Sequence, residues 1–309
     1  MNHKDIPFLD DIVLQSLDLF AKDSPPTFNP SDYKLPFVVG SGNAYNTGVI
    51  IFSNQAAVFA DESNLKTLFP AFEDAIKSKL ITQAVVLSAS GGKDSVWEIE
   101  LAKKYGLHTT LITTKADSPA AQIADKVYTF KSIDEPYTYN TSTYMGMILG
   151  ATHENITDIK NAIGSLKFPE HFDSYEGYSF VLPDRFAAIC PMLDIKRHEL
   201  FGPKVSLRAF PQGHARHAKF VVRDKGELVI SLNEKNEFFG VPESRWDISL
   251  PENGNVAMVM AVTYFIVGKI QRSKPQYFKE NVEAYTSDYG PKAYGPETKP
   301  FTVIVPGSK

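Results

Sequence analysis

The sequence predicts an α/β protein built on parallel sheets, and three observations carry that prediction. Apolar, β-branched runs such as Val85-Val86-Leu87 are short and unbroken by polar residues, the pattern of strands buried on both faces. They alternate with segments whose apolar residues recur at helical spacing. Some of these runs end in glycine- and serine-rich turns that lead straight into a helix. The two halves repeat this plan, so the expected architecture is two tandem units. Each is a parallel sheet flanked by helices, a flavodoxin-like three-layer sandwich.

Residues 1–34 read as an amphipathic helix (Ile12, Val13, Leu17, Leu19, Phe20) followed by a leader with three prolines. The first unit, 35–165, opens with a strand at 35–39, the turn Gly40-Ser41-Gly42-Asn43 and a helix from Ala44. A short strand at 55–60 follows, then a helical stretch at 64–80 in which Pro70 must break or begin a segment. The strand at 84–88 runs into a helix from Val96, with Glu98, Glu100, Lys103 and Lys104 between its apolar positions. A strand at 108–114, a short helix with Ser118 as cap and Pro119 in its first turn, and a strand at 126–130 complete the sheet.

A helical region at 142–166 links to the second unit, 170–286. It reads as a strand at 178–183, a helix from Asp184, a strand at 205–210, a turn and helix at 211–220, and a strand at 227–232. A long buried helix covers about 255–271. The tail, 287–309, is rich in Pro and Gly and reads as extended, packed on the surface or on a partner.

The 309 residues suffice for one large domain or two of about 150 residues. A hydrophobic share of 43% and a charged share of 22% are ordinary for a globular chain. A net charge of -4 lacks the basic excess of a dedicated nucleic-acid binder. Cys190 has no cysteine to pair with, which fits a reducing compartment. The amino terminus has no signal-like apolar core, and the longest apolar run, Val256 to Val267, is shorter than the ~20 residues of a membrane span. A cytoplasmic protein with no membrane partner is expected.

The turn Ser88-Ala89-Ser90-Gly91-Gly92-Lys93-Asp94-Ser95 is the chemical feature of the first half. It joins the carboxyl end of a strand to a helix amino terminus, where ligands of open parallel sheets gather and unpaired N–H groups favour an anion. The plain alternative is a turn with a good cap, Ser90 or Asp94 serving the helix. The earlier Gly40-Ser41-Gly42-Asn43 turn has the same setting. Tyr45 stands where a dinucleotide fingerprint wants its third glycine, which weighs against a nicotinamide-dependent dehydrogenase.

Together the two turns resemble the sugar isomerase (SIS) domain family, which binds phosphosugars with a Gly-x-Gly-[Ser/Thr]-Ser turn and a Ser-x-Ser-Gly-x-Thr helix start. The resemblance extends through residues 35 to 130. It departs at Asn43 and Ala44, where the family prefers hydroxyls, and at Lys93, where it prefers threonine. Lys93 supplies a point charge instead, or the anion differs from a phosphate monoester.

In the second half, the segment from Ala209 to Phe220 resembles the histidine segment of double-SIS phosphosugar enzymes, with His217 at the ring-opening position and Arg216 at a basic one. His214, Ala218 and Lys219 depart from that pattern. A lone structural histidine remains the alternative reading of His217.

The resemblance implies a phosphosugar isomerase or deglycase, with no cofactor and no metal. Its phosphate cup would be Gly40, Ser41, Gly42, Asn43, Ser88, Ser90, Gly91, Lys93 and Ser95. Its catalytic candidates are His217, His214, Arg216 and Glu199, the last either a proton-transfer base or a solvated helix residue. A catalytically silent sugar-phosphate sensor is the alternative. A homodimer that completes the site is expected, with no nucleic-acid partner.

Overall fold

Two runs of alternating strands and helices organise the chain, in a computed structural model that describes residues 3–218, 222–287 and 301–307. Helix α1 (Leu9–Lys22) precedes β1 (Phe37–Gly40), α2 (Asn43–Ile51), β2 (Val58–Ala60), α3 (Leu65–Ala71) and α4 (Glu73–Lys77). Then come β3 (Gln83–Leu87), α5 (Asp94–Lys104), β4 (His108–Thr113), α6 (Pro119–Ile123) and β5 (Lys126–Thr129). A two-residue strand, β6 (Glu135–Pro136), leads into α7 (Thr141–Thr152) and α8 (Ile156–Gly164).

The second run is β7 (Gly177–Leu182), a 3-10 segment at Asp184–Ile189, α9 (Cys190–Phe201), β8 (Ser206–Pro211), α10 (Gln212–His217), β9 (Glu227–Leu232) and β10 (Arg245–Ile248). Helices α11 (Val256–Ser273) and α12 (Tyr277–Ser287) follow, then β11 (Ile304–Val305).

The first sheet has the order β2-β1-β3-β4-β5 and the second the order β10-β9-β7-β8, every pair parallel. Counted within its own half, the second order is the first with one strand fewer. Both sheets reverse direction at a switch point, between β1 and β3 in one and between β7 and β9 in the other. Crevices that bind ligands form at such points, outside the strands' carboxyl ends.

Strand alternation divides the core. Val39 and Val86 face an outer layer with Leu65, Phe69, Ile99 and Ala102 of α3 and α5. Val38, Val85 and Leu87 face inward, into one apolar cluster shared with Phe180, Leu182, Leu228 and Ile230 of the second sheet. Helices α1, α2, α7, α8, α9 and α11 contribute to that cluster. The inner faces of the two sheets are thus joined by one core.

Some elements differ from the sequence expectation. The 64–80 stretch is two helices: Pro70 sits inside α3, which stops one residue later, and α4 begins at Glu73. The helix expected from Asp184 is a 3-10 segment with a non-helical Phe186 before α9. Strand β10 alternates buried with less buried positions over four residues, which leaves no continuous apolar run to read. Of the tail, 301–307 pairs through β11 with β6 in an antiparallel ladder; residues 288–300 and 308–309 lie outside the described ones.

Candidate functional site

At the β1/β3 switch point a cavity of about 400 Å³ opens between the two turns. Backbone demands explain the turn composition. Gly42 has φ +56° and Gly91 φ +58°, and a Cβ on Gly91 would fall 2.0 Å from the Ser118 hydroxyl. Lys93 takes φ +54° without being glycine, just before α5. Left-handed backbone at a bulky residue costs energy and is worth a functional question.

Of the nine cup candidates, Ser41, Gly42, Asn43, Ser88, Ser90, Lys93 and Ser95 line the cavity. Gly40 and Gly91 instead shape the backbone: a Cβ on Gly40 would come within 2.9 Å of the α2 backbone. Ser88 Oγ accepts a hydrogen bond from the Gly91 N–H at 3.1 Å, and Ser90 Oγ accepts one from the Gly92 N–H at 3.3 Å. Because these oxygens accept, their own protons remain to be donated. Ser95 Oγ donates to the Gly92 carbonyl at 2.7 Å. The Lys93 ammonium lies 4.2 Å over the Phe301 ring. Partial burial lowers its pKa, against the pull of Asp94.

Glu199 reaches the same cavity from α9 in the other half of the chain. Its Oε2 accepts from Lys196 Nζ at 2.5 Å, and Lys196 also donates to the Thr138 carbonyl at 2.7 Å. The Lys196 side chain is completely buried, while that of Glu199 is 18% exposed. Burial pushes the Glu199 carboxyl above the usual carboxylate range, and the Lys196 ammonium draws it part of the way back. The result is a charge-paired carboxylate with one edge toward the cavity.

The α10 group lies elsewhere. His214, Arg216 and His217 are exposed on α10, and none lines this cavity. Lys219 lies outside the described residues. The second switch point, beside α10, is filled: Phe239 packs with Val181, Ala215 and Val229, and a space of only about 10 Å³ remains.

Sequence reasoning missed several lining residues. Glu135 is buried and caps α7, accepting from the Thr141 N–H at 2.7 Å and from the Ser142 hydroxyl at 2.6 Å. Segment 301–307 supplies Phe301, Val305 and Pro306, and Phe301 stacks on Tyr137 at 4.6 Å. Glu98, expected among the polar positions of α5, is 1% exposed. It belongs to the buried stripe Ser95, Glu98, Ile99 and Ala102, a helical spacing legible in the sequence.

Two doubly wound parallel sheets sharing one core, with a polar cavity at the first switch point, define the class of fold. Solved structures of several proteins share it. The C-terminal domain of glucosamine-fructose-6-phosphate aminotransferase from Francisella tularensis has a TM-score of 0.54 at 13% identity, over 88% of this chain and 94% of that one. Tagatose-6-phosphate ketose/aldose isomerase from Escherichia coli gives 0.56 at 13%, over 85% and 87%. Glucosamine-6-phosphate deaminase from Thermotoga maritima gives 0.54 at 14%, over 85% and 92%. No protein-family model and no curated protein matches the chain by sequence. Among the described residues no helix is long and apolar enough to cross a membrane.

Proposed function

We propose that this protein binds a sugar phosphate in the β1/β3 cavity and acts on it as an aldose–ketose isomerase or a deglycase. The observation that carries the reading is that Glu199 and the serine turn line one cavity although they come from different halves of the chain. Phosphosugar isomerase and deaminase neighbours support the substrate class. The phosphate would take the hydroxyl protons of Ser88 and Ser90 and the helix-start N–H groups, with Lys93 as counter-charge. Glu199 would shuttle a proton between adjacent carbons, its orientation fixed by Lys196.

Ring opening is assigned to His217, with His214 and Arg216 beside it. From their place on α10 they would serve the cavity of a second copy in a cytoplasmic homodimer, whose interface should exceed about 1,200 Å² in total. The two units are taken as 35–165 and 170–286, with 1–34 as leader and 287–309 as tail. The exposed position of α10, away from the cavity of its own chain, also favours a second reading: a sensor that binds sugar phosphates without turnover.

A thermal-shift screen over sugar phosphates, with the unphosphorylated sugars as controls, tests binding by mass action. Among hits, Glu199→Gln is expected to keep affinity within a few-fold and to lower turnover ~100- to 10,000-fold. His217→Ala should do the same for cyclic substrates. Binding without product in the wild type would establish the sensor instead. Stabilisation by no phosphorylated sugar would remove both readings.

A further inference from the structure

Glu98 is the polar group of the cavity that the phosphosugar reading leaves without a task. It lines the cavity at 1% exposure, and its Oε1 has no hydrogen-bond partner among the described residues. Across the crevice Asn43, at 8% exposure, presents an Oδ1 that also lacks one. A buried acceptor without a donor is costly, and native structures carry few of them.

The charges around Glu98 sharpen the question. Asp94 is one turn earlier on α5, and Asp61 and Glu62 face it from the loop after β2. Burial, then these three like charges, push its carboxyl up to about 8. Among the described residues no lysine or arginine is one of the charges acting on it. A protein gains nothing in stability from such an arrangement. A ligand cation would supply both the missing donor and the missing charge.

The cavity lining carries both signs: Lys93 and Lys115 line it with the serine turn, and so do Asp94, Glu98, Glu135 and Glu199. Such a lining suits a ligand that bears both an anionic and a cationic group.

We propose that Glu98, with Asn43, forms a subsite for an ammonium group, so that the preferred ligand is a sugar phosphate carrying an amine. This rests on the phosphosugar reading and narrows it. The amine would be an amino-sugar nitrogen or the nitrogen of an amine adduct, and a neutral aldose or ketose phosphate would leave the subsite unfilled. The contact is non-covalent: Glu98, largely protonated at pH 7 in the free protein, releases its proton to solvent, and an N–H of the ammonium donates to Oε1.

Calorimetric titration at pH 7 compares four sugars and inorganic phosphate. Glucosamine 6-phosphate and 1-amino-1-deoxyfructose 6-phosphate carry the amine; glucose 6-phosphate and fructose 6-phosphate do not. The wild type is expected to bind at least one amine-bearing ligand about tenfold or more tighter than its hydroxyl counterpart. Glu98→Gln should bring that ratio near one and leave inorganic phosphate binding unchanged or tighter.

Equal affinities in the wild type, or a ratio that Glu98→Gln preserves, would overturn the subsite while leaving the phosphate cup standing. Absence of binding by all four sugar phosphates and by inorganic phosphate would overturn the phosphosugar reading and the subsite with it. Equal wild-type affinities overturn the subsite even if Glu98→Gln does not fold, and Asn43→Ala, expected to narrow the same ratio, then serves as the second variant.

Discussion

Asp125, just ahead of β5, accepts hydrogen bonds from Lys103 Nζ at 2.6 Å and from the Thr109 N–H and hydroxyl at 2.8 and 2.9 Å. Partial burial alone would raise its pKa, but Lys103 and Thr109 outweigh that and hold it at about 2. A depressed carboxyl stabilises the fold above its unfolded pKa, and the contribution fades as pH falls toward the folded value. Asp125→Asn should therefore cost about 1 kcal/mol at pH 7, a modest figure for a pair that water partly screens. The cost should shrink between about pH 4 and pH 2. Glu98 has the opposite sign. Its raised carboxyl costs stability as pH climbs from its unfolded value toward about 8. Glu98→Gln should accordingly raise the melting temperature, by a margin that widens from pH 5 to pH 8. Melting curves from about pH 2 to pH 8 check both variants. An alkaline gain for Asp125→Asn, or none for Glu98→Gln, would contradict the assigned environments.

Helices α1 and α11 show what an element requires of single residues. A Cβ on Gly268 would lie 2.1 Å from the Asp10 nitrogen and 2.7 Å from its Cα, backbone atoms that cannot rotate aside. At this crossing Asp10 is buried, with Arg272 Nε and Lys269 Nζ at 2.8 and 2.9 Å. Gly268→Ala is expected to destabilise by about 1–3 kcal/mol despite the better helix propensity of alanine, which denaturant unfolding would register. Nothing local marks Gly268, since the constraint comes from a helix more than two hundred residues earlier. Strands β1, β3, β7 and β9 were legible because burial on both faces leaves an unbroken apolar run. Strands β6 and β11 were not, being two residues each and held by a long-range pairing. The site divides the same way. Its turns advertise themselves through Gly and Ser at a strand end. The Lys196–Glu199 pair offered only an i, i+3 spacing, and Glu98 only its place in a buried stripe.

The two sheets are separate in sequence but not in energy. Their inner faces join one apolar cluster, and α11, from beyond the second sheet, packs on α1, α7 and α8. Removing either half would expose the inner face of the other. One cooperative thermal transition is thus expected, with far-ultraviolet circular dichroism and tryptophan fluorescence superimposing. Trp97 reports on the first half and Trp246 on the second, so the fluorescence samples both. Two resolved transitions would show that the halves hold themselves together independently.

Segment 301–307 reaches the cavity from far along the chain. The Gly307 N–H donates to Asp134 Oδ1 at 2.5 Å across a separation of 173 residues, and the Tyr137 N–H donates to the Val303 carbonyl at 2.7 Å. Closing so long a loop is entropically unfavourable until the intervening chain has compacted. Synthesis runs in the same order, because this segment is made after both sheets. The mouth of the cavity is therefore assembled on a scaffold that already exists. On that order the serine turn and Glu199 are expected to meet before Phe301 covers Lys93.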